Sequence, residues 1–322
     1  MKLSKRLLLC ALSAAALGAA AAPSFAENLK VKFAYLVADS MLPALYANDQ
    51  GYFKEAGIDP EFIPVQGGPA VVAALASGDA DVGYAAVVPP VNGHLKGLPI
   101  RIFLHLGEEI APDKVYVWLA ASKASGITDL KSAKGKKIGF NANGGLCELA
   151  WRDHLASAGL KIEDVQPVVL PFPEQEAALE QGSIDATCTI NPFMASISGN
   201  AKIGATVIAN GTLADLKKPL VNDALFATED WLSKHADAAS KIAAVYDKAE
   251  KELLADDKKM ADAAVKYMEL KPEDAKAFRL PMVTNGLSVT GADIQPILDA
   301  MIRNGMQQGP LNGDDFVVNI KY

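Results

Sequence analysis

The sequence has 322 residues, of which 50% are hydrophobic and 7% are aromatic. This is enough apolar side chain to form one large domain or two lobes of ordinary size, and it excludes an intrinsically disordered chain. The formal net charge of −7 argues against nucleic acid or an anionic membrane surface as the partner.

Residues 1–26 are predicted to form a secretory signal peptide. The basic start "MKLSKR" is followed by the apolar run "LLLCALSAAALGAA", and Ser24 and Ala26 are the small residues expected before a cleavage site. Cleavage after Ala26 discards Cys10 and three basic residues, which takes the net charge from −7 to −10. We therefore expect a soluble periplasmic protein that begins at Glu27, with an N-terminal membrane anchor as the alternative.

One unit occurs twice in the chain, as "GGPAVVAALASGDADVG" at 67–83 and as "PFPEQEAALEQGSIDAT" at 171–187. With an offset of 104 residues, the matched pairs are Pro69 with Pro173, Ala73 with Ala177, Ala74 with Ala178, Leu75 with Leu179, Gly78 with Gly182, and Asp81 with Asp185. Each copy predicts a helix that begins at proline, a glycine turn and a buried strand. The alternative is that this spacing is common at the turn between a helix and a strand in any α/β fold.

The fold class predicted from the repeat is α/β, with two lobes that each contain a mainly parallel sheet flanked by helices, because two β-like runs precede each copy. The runs "VYVWLAAS" at 115–122 and "NDALFAT" at 222–228 are predicted to cross between the lobes as a two-strand hinge. Helical spacing of apolar residues after 228 predicts a helical tail on the first lobe. The predicted lobes are therefore 27–118 plus 222–322, and 119–221.

Sequence motifs of common enzyme classes are absent, including the phosphate loop, the dinucleotide fingerprint, the zinc-protease helix and the nucleophile elbow. The histidines, at 94, 105, 154 and 235, are not spaced as metal ligands, and we expect surface or supporting roles for them. Cys147 and His154 would lie two helical turns apart, too far for a thiol to reach an imidazole base. We predict a protein that is not an enzyme and requires no metal or cofactor.

Two cysteines, Cys147 and Cys188, remain after the predicted cleavage. Export to an oxidising compartment favours a disulfide between them. Two free thiols are the alternative, because sequence does not show whether their Cα atoms come within reach of each other.

The stretch "FNANGGLCELAWRDHL" places a glycine pair between a predicted strand and a helix that begins near Leu146. Bare backbone N–H groups at such a helix start can hold an anion or another polar headgroup, and a flexible turn is the alternative. Small residues in the loops of lobe 1, opposite amide and aromatic groups in "PFPE" and "INPF" of lobe 2, suit a compact ligand with one polar end and an apolar or aromatic body.

Four stretches, "LYANDQGYFKEAGIDPEF", "ALASGDADVGYA", "GITDLKSAKGKKIGF" and "LEQGSIDA", together resemble the extracytoplasmic substrate-binding proteins of ABC importers. The resemblance is to the branch that includes binders of nitrate, alkanesulfonates, taurine and thiamine-pyrimidine precursors. It implies a type II periplasmic-binding fold that closes on a solute and delivers it to a membrane permease. It also implies that the binding proceeds without bond-making.

The resemblance further implies that the ligand contacts the loops at the strand ends. On this chain those positions are Asp39, Ser40, Met41, Gly67, Gly68, Ala85, Ala86, Val87, Asn143, Gly144, Gly145, Leu146, Cys147 and Asn191. Relatives often carry Ser or Thr where this chain has "NGGLC". This departure puts a hydroxyl-lined anion site in doubt and favours an aromatic solute or a short organic acid.

Two other functions compete with solute import. One is an enzyme on the same scaffold that makes the thiamine pyrimidine, but such enzymes carry a cysteine-rich signature that this chain lacks. The other is a sensor that reports the ligand to a membrane receptor, which sequence does not distinguish from import. We expect a monomer whose partners are a small-molecule solute and ABC permease subunits, and no nucleic acid.

Overall fold

The structure is a computed structural model that describes residues 27–110, 114–216, 219–280 and 286–322. The predicted signal peptide, residues 1–26, lies outside the described residues. Within those ranges, no helix is both long enough and apolar enough to span a bilayer.

Ten strands are found in the described chain, and they form two sheets. In chain order they are Leu29–Tyr35 (β1), Ile58–Pro64 (β2), Val82–Ala86 (β3), Ile100–Glu109 (β4), Trp118–Ala121 (β5), Lys137–Phe140 (β6), Gln166–Val169 (β7), Ala186–Thr189 (β8), Thr206–Asn210 (β9) and Leu220–Thr228 (β10).

The two sheets have the same topology, with strand orders β2-β1-β3-β10-β4 and β7-β6-β8-β5-β9. In the first sheet, β10 runs antiparallel to its neighbours β3 and β4, whereas β1 pairs in parallel with β2 and β3. In the second sheet, β5 is the strand that runs antiparallel to its neighbours. Each sheet is therefore mixed but mainly parallel, as the predicted fold class requires.

Helices cover both sheets. They are Leu42–Asp49 (α1), Tyr52–Glu55 (α2), Gly68–Ser77 (α3), Val88–Leu95 (α4), Leu146–Ser157 (α5), Phe172–Glu180 (α6), Phe193–Gly199 (α7), Glu229–Lys234 (α8), Ala236–Leu254 (α9), Asp257–Met268 (α10), Pro272–Ala275 (α11) and Gly291–Arg303 (α12). Short 3-10 helices lie at Asp39–Met41, Lys123–Ser125, Lys131–Ala133, Ile162–Asp164 and Gly313–Asp315.

The repeated unit occupies the same place in both sheets. Its helix is α3 in the first copy and α6 in the second, and its strand is β3 or β8. The matched aspartates make matched contacts, since Asp81 Oδ2 accepts the N–H of Lys32 and Asp185 Oδ2 accepts that of Lys137, each at 2.8 Å. Each aspartate thereby ties the repeat to the strand that pairs beside it, β1 or β6.

The chain passes between the sheets twice, once after β4 and once after β9. The runs expected to cross, 115–122 and 222–228, contain strands that each belong to one sheet, so the crossings lie before them. Trp118 is in the second sheet, while Leu220 and Val221 are in the first. The lobe boundaries at 118 and 222 therefore stay a proposal.

The helical tail packs against the first sheet and its helices. Glu252 of α9 accepts hydrogen bonds from the hydroxyls of Tyr46 at 2.9 Å and Tyr52 at 2.5 Å. Nearby, the buried Tyr246 hydroxyl donates to Met41 Sδ at 3.1 Å. The tail therefore completes the core of the first lobe, as its amphipathic pattern predicts.

Candidate functional site

A small cavity lies between the two sheets, where loops from both of them meet. It has a volume of about 20 Å³, roughly enough for one water molecule. Its wall comes from both sides of the cleft and is formed by Leu36, Gly68, Ala86, Pro89, Tyr116, Asn141, Gly145, Leu146, Cys147, Phe172 and Ile190.

A larger cavity of about 560 Å³ shares Tyr116 with the small one. This volume is in the range of small-molecule sites, which is about 300–1,000 Å³. Its wall is formed by Asp39, Glu108, Lys114, Val115, Tyr116, Trp118, Asn191, Leu254, Ala277, Phe278, Arg279 and Leu280. Tyr116, on the first crossing of the chain, therefore stands between two adjoining spaces.

Contacts between the two lobes hold the cleft closed beside the small cavity. Asn92 Nδ2 of α4 donates to Gly144 O at 3.0 Å. A Cβ atom at Gly67 would lie 3.2 Å from Ala142 Cβ, so the backbone of the first lobe approaches the second closely at a residue with φ of 90°. Glycine accepts that left-handed conformation at little cost.

An ion pair at Asp153 joins the lobes at a second place. Asp153 Oδ1 of α5 accepts from Arg303 at 2.6 Å and from Asn304 Nδ2 at 2.7 Å, both at the end of α12. Burial raises the pKa of Asp153, but the bonds from Arg303, the Ala214 N–H and Asn304 outweigh burial and hold the pKa below its usual value. The carboxylate is therefore charged at neutral pH and fastens α5 to α12.

The start of α5 is occupied by a carboxylate of the chain itself. Gly144 has φ of 71°, and its N–H donates to Glu148 Oε2 at 2.7 Å. The other oxygen of this carboxylate, Glu148 Oε1, is paired with Arg152 at 2.8 Å. The predicted anion site at 143–147 stays a proposal, and one of its backbone donors, the Gly144 N–H, already has a partner within the chain.

Cys147 and Cys188 are joined by a disulfide, with Cα atoms 5.5 Å apart. Of the two alternatives, a bridge or two free thiols, the structure has the bridge. It links the first turn of α5 to β8 and so fixes two parts of the second lobe beside the small cavity.

Two buried carboxylates lie at the floor of the cleft on the first lobe. Asp39, in the loop after β1, is 4% exposed and accepts the N–H of Ser40 at 3.0 Å. Asp223 of β10 is fully buried and accepts the Tyr84 hydroxyl at 2.7 Å, and that hydroxyl lies 3.1 Å from the hydroxyl of Tyr116. A chain of hydroxyls thus runs from Asp223 to the cavity wall.

Burial changes the protonation of this pair. It raises the pKa of Asp39 well above the usual range, and the negative charge of Asp223 raises it further. It also raises the pKa of Asp223 to about 6, against the hydrogen bonds that lower it. Within the described ranges, no lysine, arginine or histidine forms an ion pair with Asp39 or Asp223.

A buried hydroxyl at the end of β8 lacks a protein partner. Thr189 Oγ1 lies just before Ile190 and Asn191 of the cavity walls. The buried Ser40 hydroxyl lies close enough to Asp223 to lower its pKa through a hydrogen bond.

The structure brings half of the predicted site residues to the cavities. Gly68, Ala86, Gly145, Leu146 and Cys147 line the small cavity, and Asp39 and Asn191 line the larger one.

The other predicted residues lie nearby without forming the walls. Met41 packs under Tyr246, and Ala85 lies beneath Gly68, whose Cβ would approach it to 3.3 Å. Asn143 is exposed, and Gly144 bonds Asn92. The wall of neither cavity includes the remaining three predicted residues, Ser40, Gly67 and Val87.

Sequence reasoning missed Tyr84, Tyr116 and Asp223 as site residues. A signal for Asp223 was present, because a charged residue inside the apolar strand "NDALFAT" needs a reason to be buried. Phe172, which lines the small cavity and stacks on Phe193 with ring centroids 5.4 Å apart, lies within the flagged loop "PFPE".

Two of the histidines are buried and so do not have the surface role that was one of the two expected, whereas the contact of His154 with the backbone is a supporting role. His105 is 1% exposed and His154 is 4% exposed; His154 Nε2 is 2.7 Å from Gly211 O, a contact to the second crossing of the chain. Among the described residues, no group of three or more His, Cys, Asp or Glu side chains is placed to hold a metal ion.

Comparison with known proteins identifies similar chains. The profile of the NMT1-like family matches residues 24–269. A protein of Bacillus subtilis (strain 168), provisionally named an aliphatic sulfonates-binding protein, is 26% identical over 244 residues, which are 74% of this chain and 70% of that protein. A pyrimidine phosphate synthase of Saccharomyces cerevisiae, named for 4-amino-5-hydroxymethyl-2-methylpyrimidine, is 31% identical over 147 residues, or 45% of this chain and 41% of the synthase.

Among solved structures, the alkanesulfonate-binding protein of Xanthomonas axonopodis pv. citri bound to MOPS matches with a TM-score of 0.75 and 18% identity. The match covers 91% of this chain and 99% of that one. The shared architecture is the two-lobed type II fold of periplasmic binding proteins, and at this identity the likeness concerns the fold alone.

Proposed function

This chain belongs to the NMT1-like family, and we propose that it is the solute-binding component of an ABC importer. In this role it captures a small organic solute between its two lobes in the periplasm, after cleavage behind Ala26, and delivers it to a membrane permease. The observation that carries the proposal is the solute-sized cavity of about 560 Å³, which adjoins a cleft lined from both sheets.

Closure of the lobes allows the solute to contact both of them at once, and these contacts supply the free energy of binding. The solute contacts both lobes only when they meet, so it shifts the open–closed equilibrium by its differential affinity for the closed form. Contacts such as Asn92 to Gly144 and Arg303 to Asp153 then add to the closed state. No bond is made or broken, and release to the permease requires only that the lobes reopen.

An aromatic or apolar body for the solute agrees best with the walls. Trp118, Tyr116 and Phe278 line the larger cavity, and Phe172 lines the smaller one. A simple inorganic anion has less support, because the Gly144 N–H before α5 already donates to Glu148. The names of the sulfonate-binding relatives keep an organic anion as the competing ligand class.

An enzymatic role like that of the yeast synthase has less support than solute binding. The synthase shares less than half of this chain. The two cysteines within the described residues are joined to each other, and they provide no cysteine-rich signature.

A thermal-unfolding screen of residues 27–322 tests the proposal. The compounds are nitrate, taurine, alkanesulfonates, pyrimidines, aromatic carboxylates and aromatic amines. A ligand at a hundred times its dissociation constant adds about 2.7 kcal/mol to the free energy of unfolding, which raises the melting temperature by several degrees. We expect stabilisation by one chemical class; a folded protein that no class stabilises would contradict the proposal.

A further inference from the structure

The first lobe places a buried carboxyl group, that of Asp39, on the wall of the ligand cavity. Asp39 forms part of the wall of the 560 Å³ cavity and keeps 4% of its surface exposed. Its Oδ1 accepts only a backbone N–H from the next residue, at 3.0 Å. The carboxyl group is therefore oriented by its own loop and lies where a ligand can reach it.

A second buried carboxyl group, that of Asp223, stands behind Tyr116. Asp223 Oδ2 accepts the Tyr84 hydroxyl at 2.7 Å, and the hydroxyls of Ser40 and Tyr116 also lower the pKa of Asp223 through hydrogen bonds. The Coulomb interaction that raises the pKa of Asp39 comes from Asp223, so the two carboxylates are neighbours. The buried Ser40 hydroxyl lies beside them.

Buried like charges are costly unless a proton or a bound cation neutralises them. The raised pKa of Asp39 favours the proton while no ligand is bound, and a cationic ligand would replace it. No cation of the described chain forms an ion pair with either carboxylate. Arg279, on the same cavity wall, bonds the carbonyls of Lys276 and Phe278 and pairs with Asp257 at 3.5 Å. A metal ion is not favoured either, because the described residues offer no third ligand side chain.

We propose that the solute carries a protonated amine or amidine, which Asp39 contacts directly and to which Asp223 adds its charge through the Tyr84 and Tyr116 hydroxyls. This inference rests on the proposed function and names the chemical class of its solute. Trp118, Tyr116 and Phe278 flank the cavity that Asp39 lines, and aromatic faces attract organic cations. The ligand is thus an organic cation with an aromatic or apolar body.

Other titratable groups also face this pair. Tyr84 and Tyr116 contact Asp223, and Tyr246 and Glu250 of α9 lie close enough to feel its charge. Glu108 and Lys114 lie on the wall of the larger cavity, as does Arg279. Burial raises the pKa values of Asp39, Asp223 and Glu250 alike, so a cation binds more tightly as the pH rises and these carboxyls ionise.

The experiment is a thermal-unfolding and calorimetric titration of residues 27–322 with matched aromatic probes. Benzamidine and benzylamine are the cationic probes, and benzoate and benzenesulfonate are anionic probes of similar size. Asp39→Asn and Asp223→Asn remove one charge each. Asp59→Asn, at an exposed position of β2, is the matched control.

We expect the cationic probes to stabilise the wild-type protein and the Asp59→Asn variant, with at least tenfold weaker binding to Asp39→Asn and weaker binding at pH 5 than at pH 7.5. Both substitutions keep the shape of the side chain, and thermal unfolding of each variant without ligand checks that it is folded. Stabilisation by the anionic probes alone, or cation binding that Asp39→Asn leaves unchanged, overturns this inference and leaves solute binding intact. No binding of any probe or screened compound overturns the proposed function as well.

Discussion

Glu109 and Thr212 are joined across the two crossings of the chain, where Glu109 Oε2 accepts the Thr212 N–H at 2.8 Å. Glu109 lies at the end of β4 and is fully buried. Its Oε1 accepts the N–H of Tyr116 at 2.7 Å, and Asn222 Nδ2 approaches Oε2 at 3.3 Å. One carboxylate therefore fastens both connections between the lobes.

Glu109→Gln tests this hinge. The amide replaces an acceptor oxygen with an N–H₂ group that faces N–H donors, so buried donors lose their partner at a cost of about 2 kcal/mol or more. We expect the free energy of unfolding, measured by urea titration, to fall by that amount. Glu61→Gln, at an exposed position of β2, is the control, and its free energy of unfolding should change by less than about 0.5 kcal/mol. Equal stability of the two variants would show that Glu109 does not hold the crossings.

The pair between Asp153 and Arg303 fastens the closed lobes. Arg303→Met removes the ion pair at 2.6 Å, in which the arginine side chain is 57% exposed. A partly exposed pair contributes about 0.5–1 kcal/mol, so solute affinity should fall roughly two- to fivefold, mainly through faster dissociation. Arg101→Met, which breaks an ion pair with Glu229 inside the first lobe, should leave affinity unchanged. If stopped-flow dissociation rates are the same for both variants, the pair between Asp153 and Arg303 does not hold the lobes closed.

A substitution at Gly145 tests whether the loop at the small cavity takes part in solute binding. Its φ of −100° suits any residue, but a Cβ would lie 3.1 Å from Ala142 O and would enter the cavity wall. The added side chain should obstruct the approach of the two lobes at this point, so Gly145→Asp should weaken solute binding in calorimetry, with the melting temperature within a few degrees of wild type. Gly199→Asp is the matched control, because nothing lies within 4 Å of its Cβ position. Unchanged affinity in Gly145→Asp would remove this loop from the site.

Glu250 gives the stability a defined pH dependence. Burial, together with the negative charges of Asp247 and Asp223, raises its pKa to about 7. Since the unfolded value is about 4.3, the folded protein holds the proton more tightly. The protonated Glu250 side chain therefore makes its full contribution to the free energy of unfolding below about pH 4, and this contribution is lost as the pH rises through 7.

Glu250→Gln should flatten this part of the pH profile. We expect up to about 3 kcal/mol less change in the free energy of unfolding between pH 5 and pH 8, measured by urea titration. Asp223, with a pKa of about 6, contributes a slope of the same sign in both proteins. Glu273→Gln at an exposed position is the control; identical slopes in the two variants would contradict the assignment.

Local patterns in the sequence predicted the architecture well. In the repeated unit, each matched residue has a local physical role in forming the helix, the glycine turn or the strand. Asp81 and Asp185 accept equivalent hydrogen bonds from the backbone N–H groups of Lys32 and Lys137. The tail helices were predicted because their apolar faces recur at helical spacing.

Long-range contacts could not be predicted in the same way. The bond between Tyr84 and Asp223 joins residues 139 positions apart, and a strand pattern indicates burial without naming the partner. The anion seat at Asn143 to Cys147 was reasoned from backbone N–H groups alone, whereas Glu148, one turn later, reaches back to Gly144. Site chemistry depended on such contacts, so the sequence predicted the place of the cleft better than its charge.

Hydrogen–deuterium exchange of residues 27–322, with and without the compound that stabilises the protein most, tests the central claim most directly. Capture between two lobes should protect the loop at 39–41 of the first lobe and the loop at 141–147 of the second, together with residue 191. Helix α10, whose residues line neither cavity, should exchange equally in both samples. Protection confined to one lobe, or protection only outside the cleft, would contradict a solute-binding function by lobe closure.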